Sequence, residues 1–133
     1  RCTMFTVFLS AHRDEYDGIN NMARHALLSR AVTDLFQVHP VQVAGRYLGH
    51  NEMSIRVEVH TEGEVMSLAI LAKQVFEQDC ILSIDMHTMD AYLVEPETGW
   101  VPAGKAERTP ADAMPTDYNG DFSYDGKYVW VAK

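Results

Sequence analysis

The sequence predicts an α+β fold of the ferredoxin-like class, in which an antiparallel sheet carries two helices on one face. Two observations predict this class. Along the first 95 residues the hydrophobic period switches between two and 3.6 in the order strand, helix, strand, strand, helix, strand. The length of 133 residues suits one domain. Residues 95–133 are expected to extend it with a loop and a β-hairpin.

The first strand and helix are predicted from alternation and then from helical spacing. A strand is expected over residues 3–12, and Asp17 is a candidate N-cap for a helix over residues 19–37, which Pro40 cannot continue. Apolar residues recur along this helix at mostly helical spacing, at Ile19, Met22, Ala23, Ala26, Leu27, Val32, Leu35 and Phe36.

Two strands follow over residues 41–49 and 53–60, joined by a short turn. The second alternates strictly, which predicts one core face and one polar face. Its apolar members are Met53, Ile55, Val57 and Val59.

The second half of the chain begins with a capping box of Thr61 and Glu64, which starts a helix over residues 64–78. Strands are expected over residues 80–87 and 90–96. Residues 96–120 are rich in Pro, Gly and Ala and lack periodicity, so a loop is expected there. A hairpin over residues 121–131 would turn at Asp125-Gly126 in a type I′ turn.

Both helices of such a fold cover the same face of the sheet and leave the other face bare. Because a half-polar sheet face often packs on a partner, we expect a homo-oligomer. The residues expected on the bare face are Phe8, Arg46, Ser54, Arg56, Ser83 and Asp85.

Composition excludes several classes of function. A net charge of −8 argues against nucleic acid as a partner, since phosphate binding needs clustered Lys and Arg. No apolar run approaches the roughly 20 residues that cross a bilayer, and no secretory signal is visible, so a cytoplasmic location is expected. The start at Arg1 rather than Met is consistent with the loss of a leader or a few residues. Cys2, Cys80 and the scattered histidines do not form a metal-binding spacing, so no metal site is expected.

No standard catalytic motif occurs, and position alone nominates six residues. Each has an ordinary alternative: a solvated acid for Glu52, a frayed helix end for Glu77 and Gln78, turn residues for Ser10 and Arg13, and core packing for Tyr47. From these residues alone the chain is an α+β oligomer with room for a small ligand.

Six short motifs in order carry a resemblance to a known family. They are "SAHR" (10–13), "NMARH" (21–25), "GRY" (45–47), "EQDC" (77–80), "HT" (87–88) and "KAER" followed by Pro110. With the tail residues Gly120, Phe122, Gly126 and Trp130, the chain resembles the bacteriophage enzymes that degrade S-adenosylmethionine, long called hydrolases and now described as lyases.

The resemblance implies a ferredoxin-like subunit in a homotrimer, with S-adenosylmethionine bound between subunits. It implies cleavage to 5′-methylthioadenosine and homoserine lactone without a metal or cofactor, in the cytoplasm of an infected host, where loss of S-adenosylmethionine counteracts restriction. The family's functional acid and glutamine map to Glu52 and Gln78, with Glu58 as the competing acid. Tyr47 would lie beside the sulfonium, and Ser10, Arg13 and Glu77 would contribute to substrate binding.

Three alternatives stay open at this stage. Attack by water would make the enzyme a hydrolase that yields homoserine directly. A non-catalytic trimer that binds adenine nucleotides would share the architecture of nitrogen-signalling regulators. An acidic inhibitor that mimics DNA is disfavoured, because charges of both signs are mixed along the chain.

Overall fold

A computed structural model describes residues 4–115, 118 and 120–133. Cys2 and Thr3, and residues 116, 117 and 119 of the predicted loop, lie outside the described residues. The elements are β1 (Phe5–Ser10), α1 (Gly18–Phe36), β2 (Val41–Tyr47), β3 (His50–Val59), α2 (Glu62–Phe76), β4 (Ile81–Asp85), β5 (Asp90–Glu95), β6 (Gly99–Pro110), a 3₁₀ turn (Ala111–Ala113), β7 (Phe122–Tyr124) and β8 (Tyr128–Ala132).

The strands close into an eight-stranded antiparallel barrel, so the predicted ferredoxin-like fold is wrong. The order around the barrel is β1-β3-β2-β7-β8-β6-β5-β4. The predicted order of the first six elements is present, but β5 to β8 continue the sheet from β4 and return to β2. Closure removes both sheet edges.

Three of the six residues predicted for the bare face, Phe8, Ser54 and Arg56, instead face the interior of this barrel. Phe8 packs there edge-on against Trp130, with ring centroids 5.5 Å apart. Arg56 lies over the Trp130 ring, and its Nε is 3.6 Å from Asp125 Oδ2. Arg56 therefore finds charged partners within the same chain, and the barrel interior does not need a second subunit to cover it.

Three residues assigned to the bare face lie on the other side of the sheet. Ser83 pairs with Val7, a member of the cluster beneath the helices, whereas the adjacent Ile84 belongs to the barrel interior. Asp85 pairs with Phe5 of the same outer cluster, and Arg46 alternates with Gly45, which lies opposite Glu52 on the inward face.

Both helices pack on the outer face of the barrel. The cluster beneath them includes Val7, Ile55 and Val57 from the strands and Leu28, Val32, Leu68 and Ala72 from the helices. The predicted apolar stripe of α1 is only partly buried. The buried residues of the helix are Asn21, Leu28 and Val32. Six apolar side chains predicted for the stripe are instead exposed, at Ile19, Met22, Ala23, Ala26, Leu27 and Leu35.

The predicted helix starts are confirmed. Asp17 accepts a hydrogen bond from the Asn20 amide, and Thr61 and Glu64 form both bonds of a capping box. Glu77 caps the C-terminal end of α2 in the left-handed conformation, with φ of 59°. None of the described helices has the length and apolar character that a membrane crossing would require.

The predicted hairpin is present, but the predicted loop before it is wrong. Residues 99–110 form β6, which pairs with β5 and β8 despite containing Pro102, Gly104 and Pro110. The hairpin turns through residues 125–127 with a positive φ at Gly126 but not at Asp125, so the predicted type I′ turn is wrong. The Asp125 carboxylate accepts hydrogen bonds from the amides of Lys127 and Tyr128 and from the Trp130 indole.

Candidate functional site

The candidate site lies at one end of the barrel, here called the barrel mouth, where β1 and β2 end and β3 and β4 begin. Antiparallel pairing brings these strand ends together although they are far apart in sequence. Ser10 pairs with Ser54, and Gly45 pairs with Glu52, so the inward side chains of both pairs border the same space.

A cavity of about 240 Å³ opens at this end, here called the mouth cavity. It brings together four of the six residues nominated from sequence, Ser10, Tyr47, Glu52 and Gln78. The rest of its wall is largely apolar and includes Phe8, Cys80, Leu82 and Leu93. An apolar wall with a few convergent polar groups is the usual form of a small-ligand site.

Glu52 has the position and electrostatics of a ligand-binding acid. Burial raises the pKa of its carboxyl above 4.5, and the charge of Asp14 acts in the same direction. His12, His50 and the neighbouring Ser10 hydroxyl, which itself donates to the Met53 carbonyl, oppose the shift. A half-buried carboxylate of this kind is well suited to receive a cationic group from a ligand.

Tyr47 closes the inner side of the mouth cavity. Its hydroxyl hydrogen-bonds Ser123 Oγ on β7, and burial raises the pKa of the phenol. The ring lies against Gly45, where an added Cβ would come 2.7 Å from the ring Cζ. Glycine at position 45 therefore lets the aromatic ring occupy this place.

Gln78 has one polar atom, Oε1, that accepts no hydrogen bond from the described residues. Its Nε2 donates to the carbonyl of His12 at 2.9 Å and to that of Phe76 at 3.2 Å. Both amide hydrogens can therefore be used within the chain, which leaves Oε1 as an acceptor. Gln78 lines the mouth cavity, and its amide oxygen is a group that would bind an ammonium or an amino group.

Arg13 and Glu77 lie beside the mouth but are committed to other partners. Arg13 donates to Glu15 Oε1 at 2.7 Å and Oε2 at 2.9 Å, and its third nitrogen donates to the Glu77 carbonyl. The Glu77 carboxylate is 3.3 Å from Arg24 Nη1. Both border a second cavity of about 230 Å³, here called the acidic cavity, which is also lined by His12, Asp14, Glu15, Glu52, Gln78 and Asp79.

A larger groove of about 940 Å³ adjoins the mouth on the outer face of the barrel, between α1 and strands β2, β3 and β7. We call it the outer groove, and its lining includes Tyr16, Met22, Ala44, Met53, Phe122 and Tyr124. Glu52 and His12 line both this groove and the acidic cavity, and Glu52 lines the mouth cavity as well. Glu52 therefore stands where all three spaces meet.

Sequence reasoning missed His12 and Arg24 as individual residues. His12 Nε2 is 3.2 Å from Asp14 Oδ1, and its imidazole borders the carboxylate of Glu52 across the shared cavities. The signal was present, since both residues fall within the motifs "SAHR" and "NMARH". Their roles depend on contacts with residues 76–78, which spacing alone does not reveal.

Within the described residues no group of three or more His, Cys, Asp or Glu is arranged to hold a metal ion. A search of curated proteins found no match. The sequence model of the S-adenosylmethionine lyase family matches residues 7–133. That match spans the whole barrel apart from the start of β1 and includes every residue of the barrel mouth described above.

Proposed function

The chain belongs to the S-adenosylmethionine lyase family, and from this premise we propose that it converts S-adenosylmethionine to 5′-methylthioadenosine and L-homoserine lactone at the barrel mouth. The enzyme is thus an S-adenosylmethionine lyase, and we propose the identity of its products and the roles of its residues. The observation that carries it is the convergence of Glu52, Gln78, Tyr47 and Ser10 on one cavity.

The proposed reaction needs no nucleophile from the protein. The substrate carboxylate attacks its own γ-carbon, the carbon–sulfur bond breaks with its electron pair going to sulfur, and the sulfonium becomes a neutral thioether. The protein must hold oxygen, carbon and sulfur in line. Positioning of this kind reaches effective molarities of roughly 10⁵–10⁸ M, or about 7–11 kcal/mol of the barrier.

The contacts support a role for each residue. Glu52 receives the α-ammonium, whose charge is unchanged by the reaction, and so turns the adjoining carboxylate towards the γ-carbon. An acid held against the sulfonium would instead stabilise the ground state more than the transition state, because that charge disappears as the bond breaks. Gln78 Oε1 accepts from the ammonium or from the adenine amino group. The Tyr47 ring forms the wall beside the sulfonium, a contact of about 0.5–2 kcal/mol.

Arg13 and Glu77 act in this proposal by shaping the loop rather than by binding the carboxylate directly. Arg13 is held by Glu15 and by the Glu77 carbonyl. The attacking carboxylate is then free of a strong ion pair, which would reduce its nucleophilicity. The acidic cavity beside it attracts a cationic substrate during approach.

The first experiment identifies the early product. Purified enzyme with S-adenosylmethionine in ¹⁸O-water, followed by NMR and mass spectrometry, should give homoserine lactone first and unlabelled, with a chelator having no effect. Homoserine formed later by lactone hydrolysis should carry the label. Labelled homoserine with no preceding lactone would instead establish hydrolysis, and intact S-adenosylmethionine would contradict catalysis altogether.

We also propose that the enzyme is a homotrimer with its sites between subunits. The mouth cavity of about 240 Å³ is smaller than the 300–1,000 Å³ typical of ligand sites, so it cannot enclose the whole substrate. The outer groove is large enough but open, and the exposed apolar side chain of Met22 on α1 lines it. A neighbouring subunit over this surface would cover the adenosyl group.

A Met22→Glu substitution tests this assembly. Met22 is 63% exposed and lines the outer groove, so a charge there should separate the subunits and lower turnover by at least tenfold. Leu35→Glu on the same helix is the matched control, because Leu35 is 67% exposed and lies outside the groove lining, and it should remain assembled and active. Sedimentation velocity measures the state; a wild-type monomer with full activity would contradict the proposal.

In the cell, we propose that the enzyme acts in the cytoplasm of a host and removes the S-adenosylmethionine that restriction systems require. The sequence resemblance supports this role. Plating efficiency of unmodified phage on restricting cells that express the chain tests it, with unchanged efficiency as the contrary result.

A further inference from the structure

Arg24 of α1 joins the two segments that form the barrel mouth. Its Nε donates to the carbonyl of Ala11 at 2.8 Å, just after β1, and its Nη2 donates to the carbonyl of Phe76 at the end of α2. Its Nη1 is 3.3 Å from Glu77 Oε1. The side chain is only 18% exposed, and its guanidinium carbon lies 4.9 Å from the centroid of the Tyr16 ring.

Gln78 bridges the same two segments immediately beside Arg24. Its Nε2 donates to the carbonyl of His12, the residue after Ala11, and to the carbonyl of Phe76 that Arg24 also binds. The Arg24 guanidinium and the Gln78 amide therefore share the Phe76 carbonyl as an acceptor. Their other backbone acceptors are the consecutive carbonyls of Ala11 and His12. Any movement of Phe76 relative to residues 11–12 would alter the partners of both amide hydrogens of Gln78.

We propose that Arg24 is a positioning residue that fixes the orientation of the Gln78 amide, so that Oε1 and not Nε2 faces the substrate. This inference rests on the substrate-facing role proposed above for Gln78. A reversed amide would present its partly positive hydrogens to the cationic substrate, and the two would repel each other. Lysine cannot reproduce the arrangement, because an ammonium lacks the planar fork that donates in three directions.

A double-mutant cycle tests the inference with Arg24→Lys and Gln78→Ala. Alone, Arg24→Lys should lower kcat/KM by about tenfold, as expected for the loss of one hydrogen bond to a charged group. In the Gln78→Ala background the same change should have little further effect. Arg30→Lys is the matched control on the same helix, since Arg30 is 83% exposed and pairs with Asp34, one turn away on α1. It should leave kcat/KM unchanged.

The outcomes separate the two claims. Normal activity of Gln78→Ala would overturn the role proposed for Gln78, whatever Arg24 does. An Arg24→Lys effect of equal size in both backgrounds would show a general structural role and overturn the positioning role, as would normal activity of Arg24→Lys itself. Thermal unfolding is measured for each variant, and Arg24→Gln replaces Arg24→Lys in the cycle if the lysine variant does not fold.

Discussion

Replacing Glu52 with glutamine should lower kcat by about a hundredfold or more. Glutamine has nearly the same size but no charge, so the substrate ammonium loses its counter-ion at the junction of the three cavities. The methionine arm is then free to turn its carboxylate away from the γ-carbon, and a displacement of about 1 Å can cost a hundredfold in rate. KM should rise as well. Initial rates of methylthioadenosine formation measure both quantities.

Glu58→Gln is the matched control for this experiment. Glu58 lies on the same strand six residues later, about 20 Å away at about 3.3 Å per residue, and 3.1 Å from Arg56 Nη1 at the other end of the barrel. Its loss should leave turnover within about twofold of wild type, as expected for a residue outside the reaction site. A normal Glu52→Gln enzyme beside an inactive Glu58→Gln enzyme would move the functional acid to Glu58.

Stability should separate a catalytic from a structural effect of the Glu52 substitution. Burial raises the pKa of Glu52 above 4.5, so the folded state holds this proton more tightly than the unfolded chain does. As pH rises from the unfolded pKa through the folded one, ionisation therefore reduces the stability of the fold. Above that window Glu52→Gln removes this cost, and its Tm at neutral pH should equal or exceed that of wild type. A marked fall in Tm would instead assign the loss of activity to unfolding.

The element order was predictable because each early element carries its own periodicity, but closure of the barrel was not. Residues 99–110 contain two prolines and two glycines, which are unfavourable in strands, and they form β6 only because β5 and β8 pair with both of its sides. Likewise, the polar residue Arg56 suggested a solvent-facing or partner-facing surface. Its partner Asp125 is 69 residues away, and no local pattern joins the two.

The site was predictable as residue types but not as geometry. Motif resemblance selected Glu52 and Gln78, and the structure places them on one cavity, although their roles remain predictions. Arg13 was nominated as a substrate-binding residue from its place after a strand. Its bidentate pairing with Glu15 depends on the conformation of the loop, which Asn21 organises through hydrogen bonds to the backbone of Arg13 and Tyr16.

Replacing Gly45 with alanine should lower activity although the substitution leaves the charged residue Glu52 unchanged. The new Cβ would collide with the Tyr47 ring, which must then leave its place on the cavity wall and give up its hydrogen bond to Ser123. The substrate arm would lose the surface that keeps it folded beside the sulfonium, so kcat/KM should fall by tenfold or more, a cost of about 1.4 kcal/mol or greater. Gly63→Ala is the matched control, because a Cβ there meets only Thr61 Oγ1 at 3.9 Å in the first turn of α2.

Two tyrosine variants show whether the ring is responsible. Tyr47→Phe keeps the ring and loses only the hydroxyl, so it should retain most activity, whereas Tyr47→Leu should resemble Gly45→Ala. In the Tyr47→Leu background, Gly45→Ala should have almost no further effect, because the group it displaces is already gone. Full activity of a folded Gly45→Ala enzyme, or equal losses from Gly45→Ala in both backgrounds, would show that the aromatic wall does not hold the substrate in its cyclising shape.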